Sequence, residues 1–418
     1  MIEQLSKVIT VSVYSQGEAD LSEKSLSELE RLVNTAGGEV VATVMQLKNI
    51  KDPATYIGKG KLDEIAQLCK DEDIDTVVFD CELTPAQIKN IEDATDTYVI
   101  DRSMLILDIF ALHAKSAEGK IQVELAQLKY TAPRLIGKGK EMSRLGGGIG
   151  TRGPGESKLE IDRRRIVSRI AFLEKELKEI EENRNVMRSQ RTKSKIPKAC
   201  IVGYTNAGKS SLLNLLTGAN VLAEDKLFAT LDSTTRKYTL PSGNELLLTD
   251  TVGFIRKLPH HLIHAFKSTL EEARYADFLI IVVDSSDDEC LEHMHVTEGV
   301  LESLDIKKPS IFVFNKSDLA TPERMYDLRL YKSATKERVV SLCTKNASGL
   351  YELLDALEYM CSFGKTEEIF AIPYDKQNLL NYFYENAEVK NIKYTDEYIL
   401  IQAIVDDKIK GKFKEYLK

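Results

Sequence analysis

Val202 to Ser211 reads V-G-Y-T-N-A-G-K-S-S and directly follows the apolar run Ala199, Cys200 and Ile201. It completes the pattern G-x-x-x-x-G-K-[ST] at Gly203, Gly208, Lys209 and Ser210, and Leu212, Leu213, Leu215 and Leu216 continue it as an apolar helix pattern. Strand, glycine-rich turn and helix in this order predict a phosphate cradle. The glycines let backbone N–H groups close on phosphate oxygens, and the helix N-terminus adds favourable partial charge. Tyr204, Thr205, Asn206, Ala207 and Ser211 would line the same loop. Lys209 is expected to reach the β and γ phosphates, and the Ser210 hydroxyl to bind Mg²⁺. A strand-to-helix turn that binds nothing is the competing reading of the motif alone.

Four further segments follow in the order a nucleotide hydrolase needs. D-T-V-G (Asp250 to Gly253) ends an apolar strand pattern, where Asp250 can hold the water shell of Mg²⁺ and the Gly253 amide can meet the γ phosphate. N-K-S-D (Asn315, Lys316, Ser317, Asp318) ends another. Asp318 can accept from guanine N1–H and N2–H₂, and adenine has no matching donors, so the segment selects GTP and GDP over adenine nucleotides. Between these, L-F-A-T-L-D-S-T-T-R (Leu227 to Arg236) offers Thr230 to close on Mg²⁺ and γ phosphate, with Thr234 and Thr235 as rivals. C-T-K-N-A-S-G-L (Cys343 to Leu350) departs from the usual S-A-K form, yet Cys343, Thr344 and Lys345 remain base-contact candidates. Lys209, Thr230 and Gly253 are thus the expected catalytic groups. Phe254 stands where Ras-like GTPases carry a water-orienting glutamine, so the intrinsic rate should be low. Arg236 and Arg256 are near in sequence and read best as solvated switch residues.

Around this core the chain predicts an α/β multidomain protein. Residues 1–113 alternate short β-rich runs with amphipathic helices, a small α/β domain with a largely parallel sheet. Its Y-I-G-K-G-K segment, with Lys59 and Lys61, is either an anion contact or a solvated turn. Residues 114–196 predict a long antiparallel helical hairpin: Leu159, Ile166, Ile170, Leu173, Leu177, Ile180 and Met187 form one stripe at 4-3-4-3 spacing, and Ile121, Val123, Leu125 and Leu128 suggest its partner helix, broken near Pro133. The joining segment, Gly137 to Glu156, is rich in glycine and carries Lys138, Lys140, Arg144 and Arg152, with Arg163, Arg164 and Arg165 beyond it. Flexible backbone with guanidinium groups suits insertion into folded RNA; a solvated linker is the alternative. Residues 197–364 read as a doubly wound P-loop GTPase domain, with strands at Ala199–Val202, Glu245–Thr249, Phe278–Val283, Ser310–Phe314 and Val339–Leu342. Residues 365–418 read as a small α+β domain whose terminal lysines are an RNA-facing edge or a solvated helix.

Composition narrows the setting. At 418 residues with 43% apolar and 29% charged residues, the chain is an ordinary globular one of several domains. It has no apolar run of membrane-spanning length and no evident signal peptide, so a cytoplasmic protein is expected, with at most peripheral membrane association. Six scattered cysteines without a C-x-x-C pair predict reduced, mostly buried thiols, and His260, His261, His264, His293 and His295, on predicted helices without nearby cysteines, read poorly as metal ligands. From Ala114 to Ile170 there are 13 Lys and Arg against 6 Asp and Glu, a local +7 inside a chain of net −8. One basic projection on an acidic protein suggests a local anionic partner.

Four segments give the chain a close resemblance to a known family: Y-I-G-K-G-K, D-R-S-M-L-I-L-D-I-F-A (Asp101 to Ala111), E-G-K-I-Q-V-E-L-A-Q-L-K-Y (Glu118 to Tyr130) and G-G-G-I-G-T-R-G-P-G-E (Gly146 to Glu156). It resembles the HflX-type GTPases of the translation-factor-related class over nearly its whole length. The resemblance implies a protein that binds the large ribosomal subunit and its rRNA through the hairpin loop, near the peptidyl-transferase centre, and splits stalled ribosomes under stress; a monomer in solution is expected. A GTPase acting in subunit assembly, as in Obg or Era relatives, and a nucleotide-dependent RNA remodeller working through the N-terminal domain, with Lys59 and Lys61 on phosphate, are the alternatives.

Overall fold

The computed structural model describes residues 7–133, 158–191, 196–218, 227–228, 233–257, 267–333, 337–362 and 365–418. The chain divides into two compact units, 1–238 with 245–349 and 239–244 with 350–418.

The first unit begins with a four-stranded sheet ordered β2-β1-β3-β4, from β1 (Lys7–Tyr14), β2 (Glu39–Leu47), β3 (Thr76–Phe79) and β4 (Tyr98–Asp101). Every pairing in it is parallel, as the β-helix-β alternation predicts. β3 is buried along its whole length because helices cover both faces, so its sequence T-V-V-F shows no polar alternation. Helix α1 (Ala19–Thr35) lays Ser22, Ser25, Leu26, Leu29, Leu32 and Val33 inward. Helix α2 (Lys59–Asp71) begins inside Y-I-G-K-G-K, where the Gly58 amide donates to Gln46 Oε1 at 2.8 Å and Lys61 pairs with Glu64 at 2.6 Å. Helix α3 (Pro85–Thr95) opens with a capping box of Thr84 and Gln87. Helix α4 (Arg102–His113) is capped by Asp101, which accepts from the Met104 amide.

α4 leads into the hairpin of α5 (Ala117–Thr131) and α6 (Lys158–Arg191). The two run antiparallel, joined by Glu118 with Arg184, by Lys129 with Glu174 at 2.7 Å and by a two-pronged Arg169–Glu124 contact. On α6 the predicted stripe holds where side chains are described: Leu173 is fully buried, with Ile166, Ile170, Leu177 and Ile180 half-buried. On α5 the inner row is Gly119, Gln122, Val123 and Ala126. Ile121 and Leu125 flank Val123 at a spacing of two, and no single helix face can bury all three. Gly137 to Glu156, with Lys138, Lys140, Arg144 and Arg152, lies outside the described residues, as do the side chains of Leu159 and Met187.

A six-stranded sheet ordered β10-β9-β8-β5-β7-β6 completes the unit. Its strands are β5 (Lys198–Gly203), β6 (Thr234–Thr239), β7 (Glu245–Asp250), β8 (Phe278–Asp284), β9 (Ser310–Asn315) and β10 (Arg338–Ser341). From β7 through β5, β8 and β9 to β10 the pairing is parallel. The sheet is built in both directions from β5, and β5, β7 and β9 deliver the phosphate loop, D-T-V-G and N-K-S-D to one edge, the usual ligand side of a doubly wound sheet. β6 was not expected. It is a polar edge strand, T-T-R-K-Y-T, which buries too little to show an apolar pattern.

The second unit is an antiparallel sheet ordered β11-β13-β12, from β11 (Lys365–Pro373), β12 (Glu388–Tyr394) and β13 (Tyr398–Asp406), with helices α12 (Leu379–Asn386) and α13 (Asp407–Lys412). Phe370, Ile372, Ile399, Ile401, Phe383 and Phe413 form its core. The unit also includes the helix Leu350–Ser362. Lys410 pairs with Glu368, and Lys412 stands 4.0 Å from the Tyr382 ring centroid, so these lysines contact their own unit. All six cysteines are free, and five are buried.

Candidate nucleotide site

The phosphate loop is shaped by what its glycines touch. At Gly208 φ is +97°, and a Cβ there would lie 2.1 Å from Asn315 Nδ2; at Gly203 a Cβ would meet the Val282 carbonyl oxygen at 2.2 Å. No other residue fits either place. Helix α7 (Lys209–Thr217) starts directly after Gly208. Lys209 is buried and its ammonium donates to the Tyr204 carbonyl at 2.7 Å. Burial lowers its pKa to about 8, against the opposing pull of Asp250. Ser210 Oγ donates to Asp250 Oδ2 at 2.6 Å, while Asp250 Oδ1 is buried with no partner among the described residues. Burial raises the pKa of Asp250. A hydroxyl beside a half-satisfied, fully buried carboxylate is a donor set that fits a hydrated Mg²⁺ ion. Thr230, the expected switch threonine, lies outside the described residues; Thr234 and Thr235 sit in β6, where Thr235 Oγ1 pairs with Thr249 Oγ1 at 2.9 Å.

On the base side, Asn315 spends both polar atoms on protein. Its Nδ2 donates to the Ala207 carbonyl at 2.8 Å and its Oδ1 accepts from the Thr344 amide at 3.2 Å. Asn315 therefore ties the phosphate loop to C-T-K-N-A-S-G-L, whose Cys343 pairs with Ser348 in an isolated bridge. Lys316 has a φ of +56° and binds Asp284 at 2.6 Å, while Asp318 of the same segment and Lys345 of C-T-K-N-A-S-G-L are exposed.

D-T-V-G leads into the phosphate loop itself. The Thr205 amide donates to the Phe254 carbonyl at 2.8 Å and the Phe254 amide to the Gly203 carbonyl at 3.1 Å. The Phe254 side chain is 2% exposed, so the residue at the glutamine position is buried in the core as well as incapable of hydrogen bonding.

Arg256 corrects the sequence reading. It is buried, not solvated, and binds Glu289 at 2.8 Å and Glu292 at 3.2 Å; Arg236 is exposed as expected. A sequence places no acid near Arg256, because Glu289 and Glu292 arrive from α9 (Cys290–Ser303) and the turn before it. The Arg256 amide donates to the Tyr204 hydroxyl at 2.8 Å, and that hydroxyl donates to Glu28 of α1. The Tyr204 ring stacks on His293 with centroids 3.8 Å apart, and burial with the Glu28 charge raises its pKa. Arg102, 2% exposed, joins Glu28, Asp80 at 2.7 Å and the Arg256 carbonyl at 3.3 Å; Lys257 also reaches Asp80. Sequence reasoning missed this polar junction of four-stranded sheet, phosphate loop and D-T-V-G segment. Its only trace was Arg102, an arginine opening the apolar run Asp101 to Ala111.

Fold and site define an α/β multidomain protein carrying a P-loop GTPase domain. Three family models match, described as GTP-binding GTPase N-terminal (residues 23–111), GTP-binding GTPase Middle Region (113–191) and 50S ribosome-binding GTPase (198–316). The GTPase HflX of Caldanaerobacter subterraneus is 49% identical over 413 residues, covering 98% of this chain and 94% of that protein. The GTPase HflX of Escherichia coli is 39% identical over 381 residues, covering 91% and 88%. A solved complex of SsGBP with GDP is 29% identical, with a TM-score of 0.50, covering 85% of this chain and 98% of that one. The chain belongs to the HflX family of GTPases, and its activity is the hydrolysis of GTP.

Proposed function

We propose that this GTPase binds the large ribosomal subunit and splits stalled ribosomes, with the basic loop Gly137 to Glu156 inserted into rRNA near the peptidyl-transferase centre and hydrolysis stimulated by the ribosome. The observation that carries the reading is the path from D-T-V-G to the hairpin. Arg102, the first residue of α4, holds the Arg256 carbonyl, and α4 runs directly into α5, whose far end leads to the loop. The match to a model described as a 50S ribosome-binding GTPase supports the same partner.

In the site, Lys209 and the Gly253 amide would meet the γ phosphate and Asp318 the guanine edge. Mg²⁺, held by Ser210 and Thr230 with Asp250 behind its water shell, would neutralise charge on the phosphates. Lys138, Lys140, Arg144, Arg152, Arg163 and Arg164 would contact rRNA. Sucrose-gradient sedimentation of intact ribosomes with GTP and with a non-hydrolysable analogue tests the reading. Free subunits should accumulate with either nucleotide; intact ribosomes in both gradients would refute splitting.

A further inference from the structure

We infer that Asp287, Glu289 and His293 form a second metal site, separate from the Mg²⁺ site at the phosphates, that takes Zn²⁺ or a like first-row divalent ion. One ligand atom from each of the three lies within 4.8 Å of the other two. The centre of such a triangle is at most ~2.8 Å from each atom, so closing in by less than about 1 Å gives the ~2.0–2.2 Å bonds that Zn²⁺ makes to nitrogen and oxygen. His293 Nδ1 stands 4.0 Å from Asp287 Oδ2, and Nε2 stands 4.0 Å from Glu289 Oε2. Both gaps are too long for a hydrogen bond. The imidazole, only 12% exposed, therefore faces two carboxylates without bonding to either. The sequence puts no cysteine beside His293; the fold supplies two carboxylates instead.

Each ligand is oriented by a contact that leaves its binding atom over. Asp287 Oδ1 accepts from the Glu289 amide at 2.9 Å, and Oδ2 remains towards the imidazole. Glu289 Oε1 pairs with Arg256 at 2.8 Å and Lys24 at 3.3 Å, and Oε2 remains. The His293 ring lies 12° from parallel on the Tyr204 ring, which fixes the plane of its nitrogens. Glu289 precedes α9 and His293 lies one turn further on, so the two share a face. Supporting contacts of this kind hold metal ligands in place and are costly to lose. Burial keeps the imidazole below its usual pKa, against the pull of Asp287, so a ring nitrogen offers its lone pair at pH 7. Burial also opposes the Glu289 charge, but Arg256 and Lys24 prevail and lower its pKa. Asp287, Glu289 and Glu292 together outweigh the charge of Arg256 and Lys24, so an entering cation meets no net repulsion from these groups. One imidazole and two carboxylates suit Zn²⁺ with water as a fourth ligand, and Asp287, 26% exposed, leaves a side open to solvent. Mg²⁺ demands octahedral oxygen ligands and fits this set poorly.

The inference is independent of the ribosomal partner and of the hydrolysis rate. Its test is equilibrium dialysis of the isolated full chain, loaded with GDP and Mg²⁺, against Zn²⁺, with bound zinc measured by elemental analysis. The wild-type chain should bind zinc with a Kd below about 100 µM. His293→Gln should bind one ion fewer per chain. Asp287→Asn, which keeps the side-chain shape and the Oδ1 acceptor, should weaken that ion roughly tenfold to a hundredfold. It also carries the test if His293→Gln does not fold. His295→Gln, at an exposed histidine of the same helix, should match wild type. Absence of bound zinc in the wild-type chain, or wild-type zinc content and affinity in either His293→Gln or Asp287→Asn, would overturn the inference. Equal loss in His295→Gln would place the ion elsewhere on α9 and overturn it as well.

Discussion

At Gly253 a single hydrogen atom is all that the D-T-V-G segment can present to the phosphate loop. A methyl group would sit 2.7 Å from the Thr205 Cα, which is backbone and cannot swing aside as a long side chain could. Gly253→Ala should displace this segment while sparing the loop, leaving GDP affinity within about threefold and lowering phosphate release by ~10² or more, as loss of a positioning group at phosphoryl transfer does. Paired titration and release assays check it; wild-type release would mean that the segment has room the distances deny. Asp318 makes a separate prediction. Asp318→Asn replaces an acceptor pair by an amide that repels guanine N1–H, so preference should move towards xanthine nucleotides. GTP affinity should fall roughly tenfold to a hundredfold, the worth of one charge-assisted bond. Unchanged affinity in a nucleotide titration would reject the assignment.

Between elements, the junction of α1, β3, α4 and D-T-V-G depends on Arg102. It is the sole described cation within 4 Å of Glu28, and with Lys257 it neutralises Asp80, whose side chain is 1% exposed. Arg102→Leu would leave buried carboxylates short of a counter-charge, a loss of about 3–5 kcal/mol. Urea unfolding should show it as a lowered midpoint, and a change under about 1 kcal/mol would show that the junction relaxes at little cost. Asp108, on the α4 face towards α5, carries the opposite penalty. Burial raises its pKa to about 6, with only a Gln127 hydrogen bond in opposition. The folded chain holds that proton up to about pH 6 and the unfolded chain only to about 4, so stability falls as pH rises across this window and the cost is complete above it. Asp108→Asn should thus stabilise at pH 7 by up to about 3 kcal/mol and change nothing below about pH 4. Parallel melts at both pH values test the sign. Neither effect could be read from sequence: Arg102 meets Glu28 across 74 positions and Arg256 across 154.

For the molecule as a whole, hydrolysis should be slow until the proposed partner binds. Phe254 is buried, Arg256 is engaged by Glu289 and Glu292, and Arg236 is exposed on the edge strand β6, so none of these three replaces the glutamine. A missing water-orienting or charge-stabilising group costs ~10³ to 10⁵ in rate. Phosphate release should rise steeply when purified large ribosomal subunits are added, and a fast basal rate indifferent to them would end the ribosome-triggered reading. Replacing Arg144 and Arg152 by alanine should abolish ribosome splitting and leave GTP binding by the isolated chain intact.

The sequence by itself determined the parallel strands of both larger sheets, though not the edge strand β6, and the order of the nucleotide motifs. These rest on local signals: apolar runs of strand length, a glycine-lysine-serine turn, and carboxylates ending strands. The chemical incapacity of Phe254 was equally local. Only the tertiary structure decided that Arg256 is buried, that Asn315 braces the loop through Ala207 and Thr344, and that the Thr205 hydroxyl is buried without a partner among the described residues. Burial, charge pairing and hydrogen-bond satisfaction depend on which distant groups arrive within a few ångströms, and spacing along the chain does not encode that distance.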